Sequence, residues 1–294
     1  MQTTLQIGAV AYALQVEGPR AARAAVARHL AFCYGDYPPA RDFIDHVIRL
    51  APPNPWRRHV RPSLVSDVPA PVPLVPLPAR LAPVALESAM NLATAGENER
   101  FILFHAATIA RGRDALVLPG DSGAGKSTLA AATMLAGWTL LSDEYAAFDP
   151  MAARELAPVP RAVSLKNESI AYLADRFGAR ARLGEPWPGT PKGTIAFLRA
   201  APVPQERRFR PVGVVFPDRR PGAGAGLSRL DPVEAATRLI ETAMNFAVQG
   251  EPAVAVLGDL VTRVPAWALT YDDAADALPV LEDVLAGRAK GARP

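Results

Sequence analysis

The chain has 294 residues, half of them hydrophobic and 21% charged, and its 32 basic and 29 acidic side chains leave a net charge of +3. This composition is typical of a folded protein with a hydrophobic core. It contains no apolar run long enough to cross a membrane, and the small charge without a basic block argues against nucleic acid as a partner. The single cysteine, Cys33, excludes an intrachain disulfide and a cysteine-rich metal site.

The N-terminal region begins with MQTTLQIGAV, which lacks the basic segment of a secretory signal, so we expect a cytoplasmic protein. Residues 19–34 have the apolar spacing of a helix. Residues 41–50 are compatible with a strand or with a short helix. No motif in this region indicates chemistry.

A proline-dense stretch, DVPAPVPLVPLPARLAPVA, occupies residues 67–85. Proline lacks a backbone donor and fixes φ, so we expect an extended connector here. We therefore predict a smaller α+β domain in residues 1–84, which would recognise the substrate or form an oligomer interface, and a larger domain in residues 85–294. The alternative is one domain with an irregular edge.

The larger region alternates between strand-like and helix-like segments. Two β-rich segments separated by a short turn predict a hairpin, and a strand, a glycine loop, a helix and a second strand predict a βαβ unit with a parallel strand pair. The predicted elements are helix 86–96, strand 100–110, strand 115–119, helix 126–137, strand 138–142, strands 161–165, 193–198 and 210–217, loop 222–226, helix 231–247 and helix 274–287.

The stretch LPGDSGAGKSTLAA, residues 118–131, contains the phosphate-binding pattern GxxxxGK[ST]. Glycines let several backbone N–H groups face one anion, and the following helix adds its positive N-terminus. The lysine supplies a full charge, and the serine hydroxyl is a ligand for Mg²⁺. The alternative is a glycine-rich turn that binds no nucleotide. The predicted nucleotide-binding residues are Gly120, Asp121, Ser122, Gly123, Ala124, Gly125, Lys126, Ser127 and Thr128.

Two carboxylates, Asp143 and Glu144, follow the strand that comes directly after the predicted P-loop helix. Ligands of open α/β sheets bind at the carboxyl ends of the strands, so these groups are expected beside the phosphates. One could hold Mg²⁺ while the other accepts a proton from an attacking hydroxyl. The alternative is a pair of solvated acids in a turn.

The segment LPGDSGAGKSTLAAATMLAGWTLLSDE resembles the core of the HPr kinase/phosphorylase family. PRAVSLKNESI (160–170) and TPKGTIAFL (190–198) are similar to segments of its divergent branch, the HPr kinase-related kinases. The resemblance covers about residues 86–220. It implies the P-loop fold shared with PEP carboxykinases, ATP and Mg²⁺ as cofactors, phosphorylation of a serine on a protein or peptide, and self-association.

The same resemblance implies roles for individual residues. Asp143 would be the general base, Glu144 a direct or water-mediated Mg²⁺ ligand, and Glu168 a second acid of the metal site. Lys166 and Lys192 would bind phosphate or stabilise the transferred charge. For Lys166, Glu168 and Lys192 the alternative is an ordinary surface charge.

His105 stands on the strand before the loop, where the family has a histidine. It would orient the catalytic acid or the γ-phosphate, or else be a hydrogen-bonded core histidine. The chain departs from the family at Thr128, where HPr kinases have glutamate, and at Glu144, where they have aspartate. It also lacks their RGLGI-type signature, so we expect a kinase with a dedicated peptide or protein acceptor. A nucleotide-dependent switch or ATPase and a nucleotide-binding module without turnover are the alternatives.

Overall fold

The computed structural model of the chain describes residues 1–70, 73–120, 123–152 and 154–289. These residues form a mixed α/β structure with three β-sheets. No helix within the described ranges is both long enough and apolar enough to cross a membrane. The strands are β1 Gln2–Ile7, β2 Val10–Val16, β3 His46–Ala51, β4 Ser63–Ser66, β5 Leu77–Pro78, β6 Ile102–Arg111, β7 Asp114–Pro119, β8 Thr139–Ser142, β9 Tyr145–Phe148, β10 Leu156–Ala157, β11 Val163–Lys166, β12 Trp187–Thr190, β13 Gly193–Leu198, β14 Arg210–Arg219, β15 Gly226–Arg229 and β16 Ala266–Tyr271. The α-helices are α1 Arg20–Tyr34, α2 Ala82–Glu97, α3 Lys126–Leu135, α4 Glu168–Phe177, α5 Pro232–Glu241, α6 Phe246–Gln249, α7 Glu251–Arg263 and α8 Ala277–Leu285.

The N-terminal sheet has the strand order β1-β2-β3-β4-β5 and is covered by α1 and α2, which share a hydrophobic cluster with it. The predicted helix at 19–34 is confirmed as α1, and the ambiguous segment 41–50 contributes a strand, β3. The predicted connector leads into α2, so a boundary at residue 84 falls inside a helix; Pro71 and Val72 of that stretch lie outside the described residues. The division into two domains stays a prediction.

The central sheet has the order β10-β9-β6-β7-β14-β16-β15, with β8 also paired to β6. The predicted hairpin is confirmed, because β6 and β7 pair antiparallel from Ala106↔Pro119 to Arg111↔Asp114. The predicted parallel pair of β7 and β8 is wrong. β8 pairs antiparallel with β6, through Thr108↔Ser142, so β6 lies between them. One edge of β7 is already occupied by its hairpin partner, and β14 occupies the other.

β7 and β8 nevertheless run in the same direction, because two antiparallel pairings separate them. Their carboxyl ends therefore lie on either side of the middle of β6, where Pro119 pairs with Ala106 and Ser142 pairs with Thr108. β8 and β9 follow one another along the same edge of β6, and Asp143 and Glu144 form the interruption between them. This arrangement places the glycine loop, β6 and the acidic pair side by side.

Helix α5 begins as predicted, with the Asp231 carboxylate accepting hydrogen bonds from the N–H groups of Val233 and Glu234. It ends at Glu241, whereas the sequence predicts a helix as far as residue 247. Beyond α5 the chain pairs with β6: the N–H of His105 donates to the Thr242 carbonyl at 2.7 Å, and the N–H of Leu103 donates to Asn245 Oδ1 at 2.9 Å. These contacts with a distant strand replace the helical hydrogen bonds.

A third, small sheet with the order β11-β13-β12 stands beside α4. Helices α2 and α3 match their predictions, and α8 is shorter than the predicted 274–287. Helix α7 and strand β16 were not predicted from the sequence. β16 matters for the site because it pairs in parallel with β14 and brings Tyr271 to the glycine loop.

Candidate active site

The glycine loop connects β7 to α3, as predicted, and Asp121 and Ser122 lie outside the described residues. Gly125 has φ of +86°, a left-handed conformation that side chains with a Cβ rarely adopt. A Cβ on Gly125 would also lie 2.5 Å from the hydroxyl oxygen of Tyr271. Glycine is therefore required at this position both by the backbone conformation and by the close approach of a side chain.

Lys126 is the first residue of α3, and its side chain is buried against the loop. Its ammonium group donates to the Gly120 carbonyl and lies 3.3 Å from Nε2 of His105. Nδ1 of His105 lies 3.7 Å from Oε2 of Glu144. Because β6 separates β7 from β8, His105 lies between Lys126 and Glu144. The orienting role of His105 stays a prediction.

Asp143 and Glu144 have different environments. Asp143 is only 3% exposed, and one carboxylate oxygen accepts a hydrogen bond from the N–H of Ser164 at 3.2 Å. Burial, reinforced by the negative charge of Glu144, raises the pKa of Asp143 from 3.8 to about 7, although the guanidinium of Arg161 opposes the rise. The Glu144 side chain is 26% exposed. One carboxyl group is thus suited to exchanging a proton near neutral pH, and the other faces the cavity and solvent.

Ser142 stabilises the break between β8 and β9 that contains Asp143 and Glu144. Its hydroxyl oxygen accepts hydrogen bonds from the N–H of Glu144 at 3.2 Å and of Tyr145 at 2.9 Å. This local turn takes residues 143 and 144 out of the regular strand ladder. Regular pairing with β6 resumes at Tyr145.

Most of the predicted site residues surround one cavity of about 330 Å³. Gly120 and Ala124 are absent from its described lining, and Glu168 lines a neighbouring cavity of about 560 Å³ instead. The described residues that line the first cavity are His105, Gly123, Gly125, Lys126, Ser127, Thr128, Asp143, Glu144, Ser164, Leu165, Lys166, Ser169 and Lys192.

The two lysine-bearing segments, at the end of β11 and between β12 and β13, are joined by Asn167. Its side-chain amide donates to the Lys192 carbonyl at 3.2 Å, and its Oδ1 accepts from the N–H of Thr194 at 3.0 Å. Asn167 has φ of +49° and ψ of −117°, a combination outside the αL region and rare for a residue with a Cβ. Lys166 and Lys192 consequently line the same cavity. The PRAVSLKNESI segment by itself does not indicate that Asn167 joins the two lysine-bearing segments.

Thr128 donates a hydrogen bond to the hydroxyl of Ser169 at 2.9 Å, which links α3 to α4. The two cavities share the lining residues Gly123, Gly125, Thr128, Lys166 and Ser169, so they are adjacent compartments of one cleft. The larger compartment contains Tyr271, whose buried hydroxyl has no hydrogen-bond partner among the described residues. A cleft with a glycine cradle, a buried lysine and an orphaned hydroxyl fits a nucleoside phosphate.

The donor set for a divalent cation is small. Ser127, Asp143 and Glu144 line the same cavity, whereas Glu168 does not. Within the described ranges no group of three or more His, Cys, Asp or Glu side chains is arranged to hold a metal ion. Mg²⁺ in phosphoryl-transfer sites is commonly held by one or two protein ligands together with phosphate oxygens and water, so these residues fit a nucleotide-bound Mg²⁺.

Arg161 is the residue of the site that sequence analysis missed most clearly. It is buried and lines a cavity of about 190 Å³ together with Asp143, and its guanidinium pairs with the Glu87 carboxylate and donates to the Glu87 carbonyl at 2.7 Å. His29 and Tyr34 also contact that carboxylate, at 2.7 and 2.9 Å. Burial alone would raise the pKa of Glu87, but the charge of Arg161 and the contact with His29 lower it to about 2. The arginine in the PRAVSLKNESI segment was the available signal.

Comparison with known proteins adds no assignment to this site. No protein-family model matches the chain, and a search of curated proteins found no match. The resemblance to HPr kinase-related kinases therefore rests on the sequence segments quoted above and remains a prediction.

Proposed function

We propose that the protein is an ATP- and Mg²⁺-dependent kinase that transfers the γ-phosphoryl group to a serine hydroxyl of a peptide or protein. One observation carries the proposal: the GxxxxGKS lysine and serine line the same cavity as a buried carboxyl group, Asp143, whose pKa is raised to about 7. A cavity that only bound nucleotide would not need a buried acid beside the lysine.

The phosphates would be held by the N–H groups of the loop, by the N-terminus of α3 and by Lys126. Ser127 and Glu144 would hold Mg²⁺, which neutralises phosphate charge when bound. Lys166 and Lys192 line the same cavity and supply positive charge for the oxygens of the transferred group. Phosphoryl transfer depends mainly on such positioning and electrostatic stabilisation.

Asp143 would accept the proton of the attacking serine. As the serine oxygen forms its bond to the γ-phosphorus, the bond from that phosphorus to the bridging oxygen breaks and ADP leaves. The proton released by the serine passes to Asp143 and then to solvent. A carboxyl group with a pKa near 7 is partly ionised at neutral pH and is a stronger base than an ordinary aspartate.

The test uses ATP labelled at the γ-phosphate, Mg²⁺ and a library of serine-containing peptides. Label on a peptide supports the proposal. Free phosphate alone indicates an ATPase, and the absence of both indicates a module that binds nucleotide without turnover. The Asp143→Asn variant should bind ATP but transfer no label, and the matched control Asp175→Asn, an exposed acid on α4, should retain activity. Transfer that persists in Asp143→Asn would remove Asp143 as the base.

A further inference from the structure

A groove of about 790 Å³ lies outside the proposed active site, on the N-terminal part of the molecule. It runs between α1, the segment around β4 and β5, and Trp187 at the start of β12. Five prolines and four alanines contribute to its lining, so much of its surface is apolar and rigid. The proposed reaction uses none of these residues.

The groove is strongly basic. Arg28, Arg57, Arg61 and Arg80 line it, and none of its described lining residues is acidic. The nearest carboxylate contact of Arg28 is at 4.0 Å, to Glu185, with both side chains largely exposed. The charges of the four guanidinium groups are therefore mostly uncompensated.

Two of these arginines are held by backbone carbonyls. Arg57 donates to the carbonyl of Arg61 at 3.4 Å, and Arg80 donates to that of Pro188 at 2.6 Å. Arg61 has φ of +46°, a conformation that costs a non-glycine residue some strain. These contacts fix guanidinium groups along the groove without neutralising them.

The groove adjoins a second cavity that Asp143 also lines. Pro76 and Pro78 line the groove, while Leu77, between them on β5, lines a cavity of about 190 Å³ that also contains Asp143. Likewise Trp187 lines the groove, and Thr190, at the other end of β12, lines that cavity. A four-residue strand spans about 10 Å, so a polypeptide bound in the groove could reach the cavity that contains Asp143 with a few residues.

We propose that this groove binds an extended, acidic segment of a polypeptide. Carboxylates of the segment would pair with the guanidinium groups of the four arginines, and its apolar side chains would pack on the proline and alanine surface. That the segment belongs to the phosphoryl acceptor rests on the proposed function, whereas binding of the segment does not. A peptide fits better than nucleic acid, because the described lining apart from the arginines is almost entirely proline and alanine, and its one aromatic side chain, Trp187, is buried and offers no face on which a base could stack.

The experiment measures fluorescence anisotropy of a labelled 12-residue peptide, three repeats of Glu-Leu-Glu-Pro, titrated with the full chain at low ionic strength. A peptide with glutamine in place of glutamate is the neutral comparison. Arg28→Glu combined with Arg61→Glu should weaken binding of the acidic peptide by about tenfold or more. Arg23→Glu, on α1 with Arg28 but outside the groove, should change the affinity for the acidic peptide less than about twofold. Circular dichroism checks that each variant is folded.

Equal binding of the acidic and neutral peptides, or unchanged binding in the double variant, would overturn the proposal. So would tighter binding of a 12-nucleotide oligothymidine that displaces the peptide, or a wild-type oligomer in which the groove is covered and the peptide is excluded. Lys126→Ala separates the two proposals, because it should abolish phosphoryl transfer and leave peptide binding intact. If wild-type protein binds the acidic peptide but transfers no phosphate to any peptide of the serine-containing library, only the proposed function fails.

Discussion

The sharpest test of the site concerns the ionisation of Asp143. Folding buries this carboxyl group and raises its pKa from 3.8 to about 7, so the folded state binds a proton more tightly than the unfolded state. Stability therefore falls as the pH rises from about 4 to about 7, and no further loss follows above that range. The rise of about three pH units corresponds to about 4 kcal/mol at 1.36 kcal/mol per unit.

Asp143→Asn removes this ionisation and keeps a side-chain oxygen that can accept from the N–H of Ser164. At pH 5, ionisation of Asp143 in the unfolded state already lowers the free energy of unfolding of the wild type by about 1–2 kcal/mol. At pH 8 this loss approaches about 4 kcal/mol. The advantage of the variant over the wild type should therefore grow by about 2–3 kcal/mol between these pH values. Denaturant unfolding at pH 5 and pH 8 in EDTA measures the difference, and effects common to both proteins cancel.

Asp175→Asn, on the exposed face of α4, serves as the control for the same substitution at an aspartate that is not buried. An advantage of Asp143→Asn that is equal at the two pH values would refute the raised pKa. The same ionisation predicts that the wild-type transfer rate increases with pH below about 7 and then levels off, since the base must be ionised. A rate that falls over that range would contradict the assignment of Asp143 as base.

Three further substitutions test other parts of the structure. Lys126→Ala should weaken ATP binding by about ten- to a hundredfold, because a charge-assisted contact to phosphate is lost; titration calorimetry measures this, and unchanged affinity would exclude the loop as the phosphate site. Gly125→Ala should destabilise the protein by about 1–2 kcal/mol through φ alone, and more through the contact with Tyr271. When Tyr271→Phe is combined with Gly125→Ala, the double variant should regain the stability lost through the contact with the Tyr271 hydroxyl, and thermal unfolding can detect this gain. Glu87→Ala should cost about 3–5 kcal/mol, because it leaves Arg161 buried without its counter-charge; a loss below 1 kcal/mol in denaturant unfolding would contradict the buried pair.

Several features of the site could be predicted from short stretches of sequence. The left-handed glycine at 125, the helix that begins at Lys126 and the acids after β8 each depend on residues close together in the chain. Glycine conformation, helix propensity and strand length act over this range, so the local pattern was informative. The turn made by Ser142 is equally local, but a serine before two acids did not distinguish it from a simple strand end.

Other features depend on contacts between distant segments. Helix α5 stops at Glu241 because the chain after it pairs with β6, with Asn245 contacting a residue 142 positions away. The buried pair of Arg161 and Glu87 joins residues 74 positions apart, and neither residue is unusual in its own segment. Local propensity cannot anticipate such contacts, because their free energy comes from groups that only the folded chain brings together.

The amino-acid sequence alone determined a glycine-rich loop that leads into a helix and an acidic pair at the end of the next strand, since backbone conformation and side-chain chemistry there depend on adjacent residues. Only the tertiary structure decided that β6 lies between the two strands, that His105 stands between Lys126 and Glu144, and that Asp143 is buried within reach of the charge of Arg161. It also assembled the arginine groove from separate segments. The physical reason is that strand pairing and burial follow from competition among long-range contacts, which no short segment contains.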